Sequence, residues 1–290
     1  MAVAFDPEQE AGVAPARELR VYEAHAARQP VKSYLRETWR RRELALELSR
    51  AKVRAEHLDT AIGQLWLVLN PLLLAGVYFV LVDIMRRGAH PPGFFAHLVA
   101  GIFAYHLLSD SMRSGVRSIV NGNQLILNAR FPRALLPLAS AVTAVRRFAP
   151  MAAVYVPLHV LAGRPVGPEL LWVLPLLALL IVMATGATLL VAALQVYFRD
   201  IKEVLPYALR VVMFTAPVLF LPNEAAETKY AFVLDANPLG QLLTAWSDVL
   251  YRGQAPELHS LMVASAWAVA ALVAGIWAFV SREHEFAARL

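Results

Sequence analysis

At 290 residues the chain is 58% hydrophobic and only 17% charged, and its mean hydropathy of +0.51 excludes an ordinary soluble domain. The absence of cysteine excludes a disulfide framework, a thiolate metal site and thiol chemistry. A net charge of +5 and a pI near 9.6 could suit nucleic acid, but basic residues in so apolar a chain mark the loops beside membrane spans, and no nucleic-acid partner is expected.

Residues 1–30, rich in Ala, Glu and Pro, predict a flexible cytoplasmic tail, and no apolar stretch there suggests a cleavable signal. Residues 31–61 predict an amphipathic helix at the membrane interface, because Leu35, Trp39, Leu44, Leu46, Leu48 and Val53 recur among charges. A six-helix transmembrane domain is expected over 62–290. Its apolar runs cover 62–84, 93–116, 134–162, 170–196, 204–221 and 260–281. Each is near the ~20 residues that cross ~30 Å of hydrocarbon, and only a helix satisfies its own backbone there. Prolines at 71, 137, 150, 157, 175, 206 and 217 are tolerable in such a bundle, where neighbours satisfy the freed carbonyls. The predicted class is an all-α membrane protein.

Lys and Arg set the predicted orientation. With the N-terminus inside, the tail, Arg113, Arg117, Arg130, Arg133, Arg199, Lys202, Arg210, Arg282 and Arg289 fall on the cytoplasmic side. Only Arg86, Arg87, Arg164, Lys229 and Arg252 fall outside, so both termini are expected in the cytoplasm. Between spans five and six, residues 222–257 are too long for a tight turn. Asn237-Pro238 reads as an N-cap with an N1 proline, and Gly253 as a stop. Leu239, Leu242, Leu243, Trp246, Val249 and Leu250 repeat between them at helical spacing, predicting a short outer helix that re-enters the membrane or lies at its surface.

No catalytic residue emerges. The chain has no GK[ST] phosphate loop and no HExxH, and Ser49-Arg50-Ala51-Lys52 matches S-x-x-K without its companion motifs. The eight His lack metal-ligand spacing, so no metal site is expected. Residues 121–133 are more informative. A short helix begun near Asn121 or Asn123 and stopped before Phe131-Pro132, with Gln124 and Asn128 on its surface, suits docking into a partner's groove.

Four pieces occur in order: Gly63-Gln64-Leu65-Trp66 with Asn70-Pro71; Asn123-Gln124-Leu125-Ile126 with Arg130-Phe131-Pro132-Arg133 and Leu136-Pro137; Tyr197-Phe198-Arg199-Asp200-Ile201; and Asn237-Pro238-Leu239. Over roughly residues 35–290 the chain resembles the ABC-2 type permease subunits that export polysaccharides such as O-antigen and teichoic acid. The resemblance implies a homodimeric pore in the cytoplasmic membrane of a bacterium, paired with two copies of a separate ATPase that binds ATP and Mg, and no cofactor in this chain. The 121–133 stretch would be the coupling helix, with Asn121, Asn123, Gln124, Asn128, Arg130, Phe131, Pro132 and Arg133 at the ATPase and Arg199 and Asp200 near the same interface. The helix at 237–253 would belong to a re-entrant pair near the pore exit.

A polysaccharide on a polyprenyl diphosphate needs aromatic faces for its sugars and forked cations for its phosphates. Trp66, Tyr78, Phe79, Phe94, Phe95, Phe103, Tyr105, Tyr207, Phe214 and Phe220 are candidate pore-lining aromatics, although aromatics in helices also serve as packing or interfacial belts. Arg40, Arg41, Arg42, Arg50 and Arg54 are candidates to receive the head group from the membrane lipid, although positive-inside topology also accounts for them. Arg146 and Arg147 fall within the third span, where an arginine costs ~2.5–3.5 kcal/mol on insertion scales. Asp110 lies at matching depth in the second span, which predicts an ion pair with one of them.

An ABC-2 drug or lipid exporter is the nearest alternative. A secondary transporter should show paired midplane carboxylates in two related halves, and a membrane transferase an organised acidic or His cluster. The Ala- and Arg-rich composition fits a GC-rich bacterium, for which a cell-wall galactan is one conceivable cargo.

Overall fold

In the computed structural model, residues 31–55, 63–129, 131–226 and 231–289 are described. The predicted tail at 1–30, the end of the interfacial helix at 56–61 and Arg130 lie outside them. Every regular element among the described residues is helical. In chain order these are α1 (Val31–Arg40), α2 (Arg42–Ala55), α3 (Trp66–Met85), α4 (Phe94–Val116), α5 (Ser118–Asn121), α6 (Asn123–Asn128) and α7 (Leu135–Leu161). They continue with α8 (Val173–Tyr197), α9 (Ile201–Thr215), α10 (Pro222–Ala226), α11 (Phe232–Ala236), α12 (Gly240–Ser247), α13 (Leu258–Val280) and α14 (Glu283–Arg289).

Among the described residues, three helical stretches are long and apolar enough to cross a membrane: Gly63–Met85, Pro168–Tyr197 and Leu258–Val280. Helices α4 and α7 are as long, at 23 and 27 residues, but His97, His106 and Asp110 on one and Arg146 and Arg147 on the other lower their hydropathy. Burial accounts for this. Helix α4 is covered around nearly its whole circumference, packing on α7, α8 and α3, so its polar groups meet protein. The closest pairing is α8 with α13. A Cβ on Gly275 would come within 2.1 Å of the Gly186 carbonyl oxygen, so only glycine permits this crossing. Ser111 of α4 and Thr188 of α8 share a hydrogen bond of 2.6 Å beside it.

Four expectations are corrected. The run at 204–221 is not one helix: α9 begins earlier and ends at Thr215 after 15 residues, with Ala216 extended. Proline 217 explains the break, since the residue before a proline is driven out of the helical region. Secondly, the outer helix begins at Gly240 rather than at Pro238. Asn237 Oδ1 accepts from Leu239 N at 2.9 Å in a turn, while its Nδ2 donates to Val212 O and Thr215 Oγ1 of α9. A Cβ at residue 240 would collide with the Leu234 carbonyl, which fixes glycine there.

Thirdly, that helix is not on a surface. Seven of the eight residues of α12 are buried against α13, α4 and α8, and it runs on as a π-helical turn, Asp248–Arg252, that Gly253 ends at φ 65°. Gln241 bonds Asp235 and Ser260, and the Trp267 indole donates to the Asp235 carbonyl at 2.8 Å, so the outer element is tied to α13. Fourthly, neither Asn121 nor Asn123 supplies a side-chain cap. The 121–133 stretch holds two short helices, α5 and α6, and then extended chain at Ala129.

Candidate functional site

The chain segments nearest the 121–133 stretch converge on one buried polar node. The first, α1, buries Tyr34 and Thr38 on one face and leaves Val31, Leu35 and Trp39 exposed on another. A break at Arg41 turns the chain into α2, which packs Ala45 and Ser49 toward α7. Tyr34 Oη accepts from Ala134 N at 3.1 Å, at the start of α7. The second segment is α14, whose Glu283 Oε1 accepts from Arg133 N at 2.7 Å while its backbone oxygen accepts from the Arg133 guanidinium. Burial pushes the Glu283 carboxyl above the ordinary carboxylate range, and burial beside that carboxyl raises the Tyr34 phenol. Phe131 closes the node, packing beside Leu44, Leu48 and Leu138.

The Arg199–Asp200 turn stands at the end of α8. Gln195, 4% exposed, fixes it by donating to Arg199 O at 2.9 Å and accepting from Lys202 N at 2.8 Å. Tyr197 next to it donates to Glu285 of α14 at 2.7 Å and lies under the Arg289 and Arg282 guanidinium groups. Helix α14 is held there by Phe286, edge-on to Phe279 at 5.1 Å. Sequence reasoning missed Tyr34, Gln195 and Glu283. Gln195 left a signal, as the lone Gln in a 25-residue apolar helix beside the Tyr197–Ile201 motif. Glu283 left none, because its partners are 150 residues away.

Of the candidate surface arginines, Arg40, Arg42 and Arg54 are exposed, Arg41 pairs with Glu37 at 3.0 Å and Arg50 with Glu47. Arg42 covers the exposed Trp39 ring at 4.9 Å. Among the aromatics, Phe94, Phe103 and Tyr105 are packed inside the chain at 1%, 2% and 4% exposure and cannot present their faces to a pore. They sit on α4, which is enclosed. Phe79 and Phe95 meet edge-on at 5.4 Å, half-buried, and Trp66 and Phe220 are also half-buried. Tyr207 and Phe214 of α9 are exposed, and Phe214 meets Tyr78 of α3 edge-on at 6.1 Å.

Inside the bundle, Arg147 Nη1 lies 3.8 Å from Asp110 Oδ2, and His106 Nδ1 lies 3.7 Å from the other Asp110 oxygen. Arg146 is not the partner of Asp110. At the other end of the bundle, Arg86 grips Glu224 with two hydrogen bonds of 2.8 and 2.6 Å, and Leu221 N donates to the same carboxylate. The Arg86 guanidinium holds the Glu224 carboxyl below its usual range. Among the described residues no group of three His, Cys, Asp or Glu could hold a metal ion.

No protein-family model matches the chain. Curated relatives do. It is 28% identical over 258 residues to the O-antigen export system permease protein RfbA of Myxococcus xanthus, covering 87% of this chain and 97% of that one. Two permeases of the same name from Klebsiella pneumoniae match over 212 residues at 23% and 21% identity, covering 73% of this chain and 81% of each relative. The chain is thus similar over most of its length to O-antigen export permeases, the kind of protein that its motifs resemble.

Proposed function

We propose that this chain is the transmembrane permease subunit of an ATP-driven exporter that moves a polyprenyl-diphosphate-linked polysaccharide across the bacterial cytoplasmic membrane. The observation that carries the reading is a match to an O-antigen export permease along 87% of the chain and nearly all of the relative, on an all-helical bundle. In this reading α3, α4, α7, α8, α9 and α13 cross the membrane with both termini in the cytoplasm. Helix α9 crosses only with the irregular 216–221 segment that follows it. The excess of Lys and Arg on one side supports that orientation.

Two copies form the pore, and each docks one copy of an ATPase subunit. Helices α5 and α6, the 129–134 chain and the Arg199–Asp200 turn receive the ATPase. The Tyr34–Arg133–Glu283 node carries its motion to α1 and α2 at the lipid surface, where the exposed Val31, Leu35 and Trp39 enter the interface and the neighbouring arginines meet the anionic head group. Since Phe94, Phe103 and Tyr105 are enclosed, the sugar path is assigned to the exposed aromatic faces of Tyr207 and Phe214, with the half-buried Tyr78 behind Phe214.

The test is a detergent pull-down of the tagged chain expressed with its neighbouring genes, followed by an ATPase assay. A stoichiometric ATPase that is lost when Arg130, Phe131, Pro132 and Arg133 become alanine supports the reading. A stable complex without ATPase activity refutes it.

A further inference from the structure

Helix α13 has its full spanning length by Val280, yet the chain turns and forms one more helix. Arg282 N donates to Phe279 O at 3.2 Å in that turn, and α14 runs for seven residues beyond it. An isolated helix needs roughly 12–15 residues to hold in water, so α14 depends on its contacts. Positions three and four apart share a face. Arg282, Glu285 and Arg289 make one face, and all three meet Tyr197. The phenol donates to Glu285 at 2.7 Å, and the two guanidinium carbons stand 5.0 and 4.4 Å from its ring. Glu283 and Phe286 make the neighbouring face. Glu283 accepts from Arg133 N at 2.7 Å and, through its backbone oxygen, from the Arg133 guanidinium, while Phe286 is wholly buried.

The two faces reach two segments that lie far apart in sequence. Arg133 closes the 121–133 stretch, and Tyr197 ends α8 just before the Arg199–Asp200 turn. Gln195 carries the second attachment into that turn through Arg199 O and Lys202 N. Phe286 stands between them, edge-on to Phe279 at 5.1 Å and to Tyr197 at 6.5 Å. It shares one buried cluster with Ile119 of α5, Ile126 of α6 and Val196 of α8, so apolar packing joins what the two carboxylates tie.

We propose that α14 is a brace that joins the 121–133 stretch and the Arg199–Asp200 turn into one unit, so that both move together when a partner pushes on either. Glu283 is the positioning residue for the first segment, Glu285 with Tyr197 for the second, and Phe286 is the pivot between them. The proposal rests on the exporter reading, in which both segments receive the ATPase. It adds that the two contacts act as one because the last helix links them. His284, on the exposed side of α14, takes no part.

The first test needs only the full-length chain in lipid nanodiscs, read by hydrogen exchange. Phe286→Ala should speed exchange about tenfold or more both at the amides of 122–129 and at those of 199–203, with Phe286→Leu restoring most of the protection and His284→Ala changing neither. Acceleration at one segment alone, or at neither, overturns the brace. If Phe286→Ala does not fold, Tyr197→Phe takes its place, since it removes one half-buried hydroxyl. It should speed the Arg133 amide about threefold through α14, and an unmoved Arg133 overturns the brace. The second test uses the complex with the ATPase. Phe286→Ala should still bring down the ATPase, while glycan moved per ATP hydrolysed falls about tenfold and Phe286→Leu rescues it. A loss of yield with that ratio unchanged makes α14 a packing element and overturns the proposal. Absence of the ATPase from the wild-type complex would sink the exporter reading, while the exchange pattern would still judge whether α14 links the two segments.

Discussion

The node offers a prediction that resolves to single amides. Ala134 N is capped by the Tyr34 hydroxyl and Arg133 N by the Glu283 carboxylate, at 3.1 and 2.7 Å. Tyr34→Phe removes one oxygen and little volume. It leaves the buried Ala134 N–H without its acceptor, which costs about 1–3 kcal/mol. Since 1.4 kcal/mol is about a factor of ten in an opening equilibrium, Ala134 should exchange its amide hydrogen roughly 10–100-fold faster while Arg133, still held by Glu283, changes least. Glu283→Ala should reverse the pattern, exposing Arg133 first and loosening α14 along with it. Glu283→Gln should have the smaller effect, because burial already disfavours the charged carboxylate and an amide oxygen can accept the same bond. The assay is hydrogen exchange with fragmentation to single residues on the detergent-solubilised chain. Equal acceleration of both amides in both variants, or none in either, would refute the arrangement of the node.

Three further outcomes are expected. Gly275→Val should cost more than the ~1–3 kcal/mol of ordinary overpacking, because the new methyls meet the Gly186 backbone, whereas Val273→Ala on the exposed side of α13 should barely change the melting temperature. Asp110→Asn leaves Arg147 without its charge partner inside the bundle and should reduce the yield of monodisperse protein, and adding Arg147→Gln should recover part of it; unchanged yield in the single variant counts against the pair. A double-mutant cycle on Arg86 and Glu224 should give about 1 kcal/mol, kept small by partial solvent screening. Because the folded carboxyl of Glu224 titrates below its unfolded value, that contribution is present above the ordinary glutamate pKa of about 4.3 and is lost as pH falls through the lower, folded value. A coupling that grew on acidification would contradict this assignment.

The all-helical class was legible because a bilayer imposes a length of apolar chain, and Gly63–Met85, Pro168–Tyr197 and Leu258–Val280 are helical stretches of that length. Helix α9 was misread because an apolar run carries no mark of where it bends, and Pro217 was treated as one more tolerated proline. Asn237-Pro238 has the composition of a helix start, yet Asn237 spends its side chain on Leu239 and on α9, a tertiary bond that no local pattern reveals. The aromatics failed for a related reason. Periodicity tells which residues share a face, but α4 is buried around most of its circumference, so Phe94 and Phe103 became packing. Tyr34 reaches Ala134 across 100 residues and Glu283 reaches Arg133 across 150, and only the folded chain brings them together.

The most direct test of the account is ATP-driven transport in inverted membrane vesicles that contain this chain and its ATPase, charged with lipid-linked polysaccharide on the outer, cytoplasm-facing leaflet. The account predicts that the glycan becomes protected from added glycosidase only when ATP and both proteins are present, and that a proton gradient alone does nothing. Protection that needs no ATP, or that follows the proton gradient, would contradict it.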